Sequence, residues 1–386
     1  MKYSDVSFTW SGDILSISSY AQYGRAILEG LIKGGATVRL ELTKPVKPPA
    51  DLSPWWHETI QKCTKTNPLY VKVNHCEPTA ASGNILGGPN ILITHWPTLA
   101  FPVSWRQFIN PNNFKALFTT NPQALQDPFL KGCGVELDYL PMPIEKDTNP
   151  NDISEISDIK KNTFVFGSVG YWNQKSNFSD LIIAYTAEFS SMDNVALVIK
   201  TITKDHNPNN AAKLLQLVKT QKESVNKPDR PPIIVIQDQF TENALNAIIR
   251  RFNCYVSPKR GSSVDVSMAK CIGMGKPIVT SNTGISKMYV EEFKHLTKAI
   301  RPVPVTYEPV TMFDGGNAMD SWGRNDVQAM CKHMKDAYIE SITNRRQISE
   351  EVNQMGLIAF DKFSVDNVCD KLADKVRQLS PVALSL

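Results

Sequence analysis

The sequence predicts an α/β protein built from two doubly wound halves that face a shared cleft. Three observations carry this prediction. Short β-branched runs alternate with helical patterns along nearly the whole chain. Several of these runs are apolar throughout, which is typical of parallel strands covered by helices on both faces. Between residues 141 and 161 the alternation stops and then restarts, so the chain divides into two comparable halves.

The composition narrows the class of protein. The chain has 386 residues, of which 42% are hydrophobic and 21% are charged, and this balance excludes a mainly disordered protein. Lys and Arg number 42 against 38 Asp and Glu, so the net charge of +4 does not indicate a dedicated nucleic-acid module. Seven cysteines without C-x-x-C spacing, together with the lack of a signal-like N-terminus or a long apolar run, predict a soluble cytoplasmic protein.

The first half is predicted to form a parallel sheet with covering helices. The strands are predicted at residues 5–10, 37–42, 90–94 and 115–119, and the helices at residues 20–33 and 122–131. Gly34 and Gly35 end the first helix and start the following strand. No element is predicted for residues 44–88.

The second half repeats the alternation. Strands are predicted at residues 163–169, 195–202, 233–237, 254–257 and 277–280, and helices at residues 178–189, 211–226, 242–251, 264–274, 324–338 and 366–379. The predicted units are residues 1–142, a linker at 143–161, residues 162–365, and a C-terminal segment at 366–386 that packs back toward the first half. Because parallel strands of a doubly wound sheet end at one edge, we expect a cleft between the two carboxyl edges.

Residues 258–263 form a polar loop between a predicted strand and a predicted helix. Such a loop brings backbone N–H groups and the positive end of a helix to the cleft, where they attract an anion. Helix starts of this kind occur in any α/β protein. Phosphate binding and a plain helix start are therefore equal alternatives on physical grounds.

Several short segments of the chain resemble the motifs of one protein family and stand in the same order along the chain. They lie at residues 91–96 (ILITHW), 119–144, 170–177 (GYWNQKSN), 237–238 with the helix at 242–251, 260–261, 275–279 (GKPIV) and 280–284 (TSNTG). Arg260-Gly261 stands in the place of an R-G-E-G loop, and GKPIV is similar to a G-x-P-V-I segment. In order and spacing the motifs resemble the nucleotide-sugar glycosyltransferases of the GT-B fold, in particular the retaining family 4, also called glycosyl transferases group 1.

The resemblance implies transfer of a sugar from a nucleoside-diphosphate-sugar to the hydroxyl of a glycan or another acceptor. The first half would hold the acceptor and the second half the donor, which is a co-substrate, so that no cofactor is needed. His95 would be catalytic, Lys175, Arg260, Gly261, Ser262 and Ser263 would bind the donor diphosphate, and Asp265, Lys270, Thr283, Gly284, Ser19 and Tyr20 would contact the donor sugar or nucleotide. His95 ends an apolar strand, where a doubly wound sheet faces its ligand. Lys175 follows a strand and a glycine turn, from which a compact ammonium reaches a diphosphate.

The chain also departs from the family pattern. Both glutamates of the family's E-x7-E motif are replaced, by Ser262 and Lys270. A lysine offers only hydrogen-bond donors, so the donor ribose would be held differently. Asp265 either supplies a carboxylate to the donor sugar or pairs with a neighbour, and Arg260 either meets the phosphates or holds its loop. The serines around Ser19 either approach the ligand or cap the following helix.

The sequence does not contain the motifs of several other enzyme classes. No D-x-D lies beside a strand and the six His residues have no ligand spacing, so we predict that no metal is used. There is no G-x-S-x-G elbow, and the first half has no G-x-G-x-x-G. Two alternatives stand: a binding or scaffold protein that has lost catalysis, and a phage-type glycosyltransferase acting on hydroxymethylated DNA bases. DNA would contact the basic residues at 213–230, 250–251 and 259–260, although interspersed acidic residues favour solvated helix faces.

Overall fold

The two halves of the chain each contain a six-stranded parallel sheet, which confirms the predicted α/β class. The computed structural model describes residues 1–43, 48, 52–156, 159–202, 208–310 and 321–381. Residues 157 and 158 of the predicted linker and residues 382–386 of the predicted C-terminal segment lie outside these ranges. None of the described helices is both long enough and apolar enough to cross a lipid bilayer.

The first sheet has the spatial order β2-β1-β3-β4-β5-β6. Its strands are β1 (Ser7–Gly12), β2 (Thr37–Leu42), β3 (Lys72–His75), β4 (Asn90–Ile93), β5 (Ala116–Thr119) and β6 (Glu136–Tyr139), and its helices are α1 (Ser19–Lys33), α2 (Pro54–Lys65), α3 (Val103–Arg106) and α4 (Pro128–Gly132). Ser18 caps α1, because its Oγ accepts a hydrogen bond from the backbone N–H of Ala21 at 3.2 Å. The predicted helix at 122–131 is broken: Asp127 starts a new helix by accepting from Phe129 N at 2.9 Å.

The second sheet has the order β12-β11-β10-β7-β8-β9. Its strands are β7 (Phe164–Tyr171), β8 (Val195–Ile202), β9 (Ile233–Ile236), β10 (Cys254–Ser257), β11 (Ile278–Ser281) and β12 (Ile300–Val303). The helices between them are α5 (Phe178–Glu188), α6 (Pro208–Ser224), α7 (Glu242–Arg251), α8 (Val266–Gly273) and α9 (Gly284–Glu292). A hairpin of β13 (Val305–Pro309) and β14 (Ser321–Asn325) precedes the last helices α10 (Val327–Thr343), α11 (Arg345–Lys362) and α12 (Val365–Leu379).

Helix α12 returns to the first half of the chain and packs on α1. The approach is close at Gly30, where an added Cβ would lie 2.4 Å from Val365 Cγ1. At the edge of the first sheet, Lys371 Nζ donates to Asp138 Oδ1 at 3.0 Å. Before α12, the backbone N–H of Ile144 donates to Phe363 O at 2.8 Å. These contacts fasten the end of the chain to the first half.

Candidate functional site

A cavity of about 570 Å³ lies between the two halves, at the carboxyl edges of their sheets. The first half contributes side chains of α1 and α2, among them Ser19, Arg25 and Trp56. The second half contributes the ends of β7 and β8, the start of α7 and residues 266–267 and 269–270 of α8. A cavity in this place has the size and the polar lining of a small-ligand site.

Asp265 caps α8 and holds in place the part of the cavity wall that α8 forms. Its side chain is 2% exposed, and Oδ1 accepts from the backbone N–H of Met268 at 3.1 Å, which caps α8. Oδ2 accepts from Ser257 Oγ at 3.0 Å and lies 2.7 Å from Lys259 Nζ. Both oxygens are therefore engaged within the protein. Of the two alternatives for Asp265, the contacts are those of the structural one.

Lys175 lines the cavity directly after the turn that follows β7. Its backbone carbonyl accepts from Arg260 N at 2.9 Å, which joins this turn to the loop at 258–263. Burial lowers the pKa of the Lys175 ammonium, and the positive charge of Lys259 lowers it further. Among the described residues, no side chain forms an ion pair or hydrogen bond with Lys175 Nζ. A half-buried cation that is paired with no carboxylate of the described residues is suited to an anionic ligand.

Ser262 also lies in the cavity wall, held from behind by α9. Its carbonyl accepts from Ile285 N at 2.7 Å. Gly284 has a φ of +56°, and an added Cβ would lie 2.5 Å from Ser262 O, so only glycine fits there. Thr283 and Gly284 therefore support the loop from outside the cavity rather than lining it.

The rest of the predicted diphosphate loop points away from the cavity. The Arg260 guanidinium pairs with the Glu308 carboxylate of β13 and lies 5.5 Å from the centre of the Trp322 ring. Gly261 lies against the first half, where an added Cβ would meet Pro97 O at 2.0 Å. Ser263 O accepts a hydrogen bond from Thr120 Oγ1 of the first half. The structure does not bring these three residues to the cavity, because their contacts close the interface between the halves and the hairpin.

His95 is buried behind the cavity wall, and only 3% of it is exposed. Its Nε2 lies 3.2 Å from the Nε2 of His75, which ends the adjacent strand β3. The Tyr20 hydroxyl donates to His95 O at 2.9 Å and accepts from His95 N at 3.0 Å. Neither His95 nor Tyr20 lines the cavity, whereas Ser19, beside Tyr20, does.

Both imidazoles are held uncharged. Burial lowers the pKa of His75 to about 3 and moves the pKa of His95 well below its usual value of 6.5. Sequence reasoning missed His75. His75 ends a short strand, KVNH, in which every side chain is buried. Because the sequence of such a strand does not alternate between apolar and polar residues, its pattern does not reveal the strand.

Lys270 stands where the family resemblance places a ribose-binding glutamate, and in the structure it forms an ion pair. Its Nζ lies 2.5 Å from Glu242 Oε1 and 3.0 Å from Asn246 Oδ1, both on α7. Burial opposes the charge of Glu242, but Lys270 outweighs it and lowers the pKa of that carboxyl. All three side chains line the cavity. The start of α7 thus brings a carboxylate, that of Glu242, next to Lys270 in the cavity wall.

Lys200, at the end of β8, is a second cavity cation and one that the sequence analysis did not identify. It is 6% exposed, and its Nζ donates to Thr201 O at 3.3 Å. Burial lowers its pKa to about 8. A lysine inside the apolar run VALVIKTI is the signal that could have found it.

The basic residues considered for DNA are largely engaged within the protein. Arg250 is 2.8 Å from Asp147 Oδ1, and Arg251 donates to the carbonyl of Thr163 at 3.1 Å. Lys259 is paired with Asp265. Nothing in this surface favours a nucleic-acid partner. In the described part of the chain, no three His, Cys, Asp or Glu side chains are gathered as metal ligands are, and metal-free chemistry stays a prediction.

Sequence comparisons identify no relative: no family model and no curated protein matches the chain. Solved structures do match. A sucrose-phosphate synthase from Thermosynechococcus elongatus is 12% identical with a TM-score of 0.64, covering 97% of this chain and 99% of that one. A UDP-forming α,α-trehalose-phosphate synthase from Burkholderia xenovorans is 11% identical with a TM-score of 0.62, covering 99% and 100%.

A third match is a trehalose-6-phosphate structure from E. coli bound with UDP-2-fluoro glucose, at 10% identity and a TM-score of 0.63, covering 97% and 100%. At such low identities the likeness concerns the fold. It extends over both halves and includes their arrangement around the cleft. The chain therefore has the GT-B fold that its sequence predicts.

Proposed function

We propose that the protein is a glycosyltransferase that moves a sugar from a nucleoside-diphosphate-sugar to an acceptor hydroxyl without a metal ion. Lys175 is the observation that carries this proposal. It is a half-buried lysine in the cavity of a GT-B fold, and no described side chain is paired with its ammonium. A similar structure is bound with UDP-2-fluoro glucose, which supports a nucleotide-sugar as the ligand of this fold.

Sugar transfer from such a donor requires the protein to stabilise negative charge on the departing diphosphate. Lys175 supplies a positive charge inside the cavity, where the surrounding protein strengthens its attraction for an anion. The charge of Lys259 also acts on Lys175, and the Asp265 carboxylate, 2.7 Å from Lys259 Nζ, offsets part of that effect. Lys175 is therefore proposed as the main diphosphate contact, and Ser262 as a neutral hydrogen-bonding neighbour.

The acceptor is proposed to enter from the first half. There the cavity wall carries Ser19, Arg25, Glu29 and Trp56, a mixture of charged and aromatic groups suited to a polyhydroxylated molecule. A catalytic role for His95 requires its ring to reach the cavity from behind Tyr20. Retention of the anomeric configuration follows the family 4 resemblance and is tested by the anomeric signal of the product in NMR spectra.

Release of nucleoside diphosphate from a panel of donor sugars, with sugar and sugar-phosphate acceptors, tests the proposal. We expect Lys175→Ala to lower kcat by about 100-fold or more, since that is the usual cost of losing one group that stabilises charge in the transition state. His95→Ala measures the contribution of His95 in the same assay. Lys294→Ala, at an exposed position outside the cavity, is the control and should leave turnover unchanged.

Two outcomes would contradict the proposal. One is the absence of turnover by the wild-type protein with every donor and acceptor, and the other is an unchanged rate in Lys175→Ala. The second candidate, a GT-B protein without catalysis, is favoured by the Lys270–Glu242 ion pair at the position of a lost family glutamate. Binding of a nucleoside diphosphate without turnover would support this candidate; the binding is seen as a rise in the unfolding temperature.

A further inference from the structure

The ammonium of Lys200 is buried, yet it has few partners among the described residues. It lies 5.0 Å from the centre of the Phe240 ring, and its one hydrogen bond to a described residue is the long bond to Thr201 O. An ammonium has three N–H donors. No carboxylate of the described residues comes within 4.0 Å of it. Because Lys200 has already lost its water, a ligand that offers an acceptor gains a hydrogen bond at little further desolvation cost.

Apolar side chains form a shelf beside Lys200. In the sheet register Lys200 stands between Val169 of β7 and Ile236 of β9, so all three side chains share one face. Val169 and Phe240 line the cavity beside it, as does Leu245 of α7. The combination of an apolar shelf, an aromatic ring and one donor suits a planar ring with an acceptor at its edge.

Lys200 and Lys175 line the cavity from different elements, Lys200 at the end of β8 and Lys175 in the loop after β7. The charges that shift the pKa of Lys175 are those of Lys259 and Asp265, whereas the charge that shifts the pKa of Lys200 is that of Asp238. One ligand that reaches both ammoniums must carry an anion at one end and a planar acceptor at the other. A nucleoside diphosphate has this shape.

We propose that Lys200 selects the donor's nucleobase by donating a hydrogen bond to a carbonyl oxygen of a keto base, such as uracil or guanine, that lies on the shelf beside Phe240. This inference rests on the proposed function. Adenine has no carbonyl oxygen and presents an amino donor where a keto base presents an acceptor. The pocket is therefore selective for keto bases over adenine.

Isothermal titration calorimetry with UDP, GDP, ADP and inorganic pyrophosphate tests this assignment. We expect the wild-type protein to bind UDP or GDP at least tenfold more tightly than ADP. Lys200→Met, which keeps the length of the side chain without its charge, should remove this preference by weakening the keto nucleotide about tenfold. The affinities for ADP and pyrophosphate should change less than threefold. Lys200→Arg should keep part of the preference, and the exposed Lys294→Met should keep all of it.

A parallel measurement needs no variant. The preference of the wild-type protein for UDP or GDP over ADP should shrink as the pH rises through about 8, where Lys200 loses its proton. Equal weakening of pyrophosphate by Lys200→Met would overturn the inference, since the ammonium would then bind phosphate. A nucleotide that binds with no base preference and no effect of Lys200→Met would overturn it as well and leave the proposed function intact. If the wild-type protein binds neither nucleotides nor pyrophosphate, both proposals fail.

Discussion

The Asp265 carboxylate should be the most costly polar group to remove from the cavity wall. Asp265→Ala takes away three contacts at once: the cap of α8, the hydrogen bond from Ser257 and the 2.7 Å ion pair with Lys259. Loss of a helix cap costs about 1 kcal/mol. Loss of one partner of a buried ion pair costs about 3–5 kcal/mol.

The ion pair falls at or below the lower end of that range, because the Lys259 side chain is 13% exposed and can turn its charge toward the water of the cavity. We therefore expect Asp265→Ala to lower the free energy of unfolding by about 4 kcal/mol in all, of which the cap and the hydrogen bond from Ser257 contribute about 1 kcal/mol each and the ion pair about 2 kcal/mol. Asp265→Asn keeps an acceptor for the cap and should cost about 3 kcal/mol.

Urea denaturation at pH 7 measures this loss, and the chain supplies a matched control. Asp326 caps α10 through Ala329 N at 3.0 Å and is exposed. Asp326→Ala should therefore lose only about 1 kcal/mol. The reasoning is refuted if the two alanine variants lose the same free energy. The pairing itself is tested by a double-mutant cycle of Asp265→Asn with Lys259→Met, in which the two changes together should cost less than their sum.

Three further outcomes are expected. Lys270→Glu places a second carboxylate beside Glu242 and should lower the free energy of unfolding by about 1–2 kcal/mol at pH 7. The loss should shrink in acid, because two neighbouring carboxylates have a raised pKa and share a proton there, whereas Lys270→Gln should show no such change with pH. Tyr20→Phe leaves His95 N and His95 O without their partner, so the free energy of unfolding should fall by about 1–3 kcal/mol, and the exposed Tyr70→Phe should change it little. Because the pKa of His75 is about 3 in the folded state against 6.5 unfolded, the stabilisation that His75 contributes is complete above pH 6.5 and falls by about 1.4 kcal/mol per pH unit below it. In urea denaturation between pH 4 and 7, His75→Gln should therefore reduce the dependence of the free energy of unfolding on pH, and His95, whose pKa is also lowered, should account for part of what remains.

The sheets were predictable because their strands are apolar and their helices carry a clear period. The strand at Val195–Ile202 and the helix at Glu242–Arg251 have the predicted bounds. Strand β3 could not be predicted, since Lys72, Asn74 and His75 are polar and become buried only through partners far away in the sequence, such as Glu41 on Lys72 Nζ. Sequence spacing carries no information on such pairings.

The site was harder to predict than the fold. Lys175, Asp265 and Lys270 line the cavity, as do Ser19 and Ser262, and their motifs placed them near it; their roles in donor binding stay predictions. The direction in which a side chain points depends on the packing of the two halves. Arg260 turns to the hairpin and His95 turns behind Tyr20, and neither outcome is written in local sequence.

The central claim is that the cavity holds a nucleoside diphosphate with its phosphates on Lys175. A crystal structure of the wild-type protein soaked with UDP or GDP tests it most directly. We predict the diphosphate within hydrogen-bond distance of Lys175 Nζ and Ser262, with the ribose near the Lys270–Glu242 pair. A diphosphate bound elsewhere, or an empty cavity at saturating nucleotide, would contradict the account.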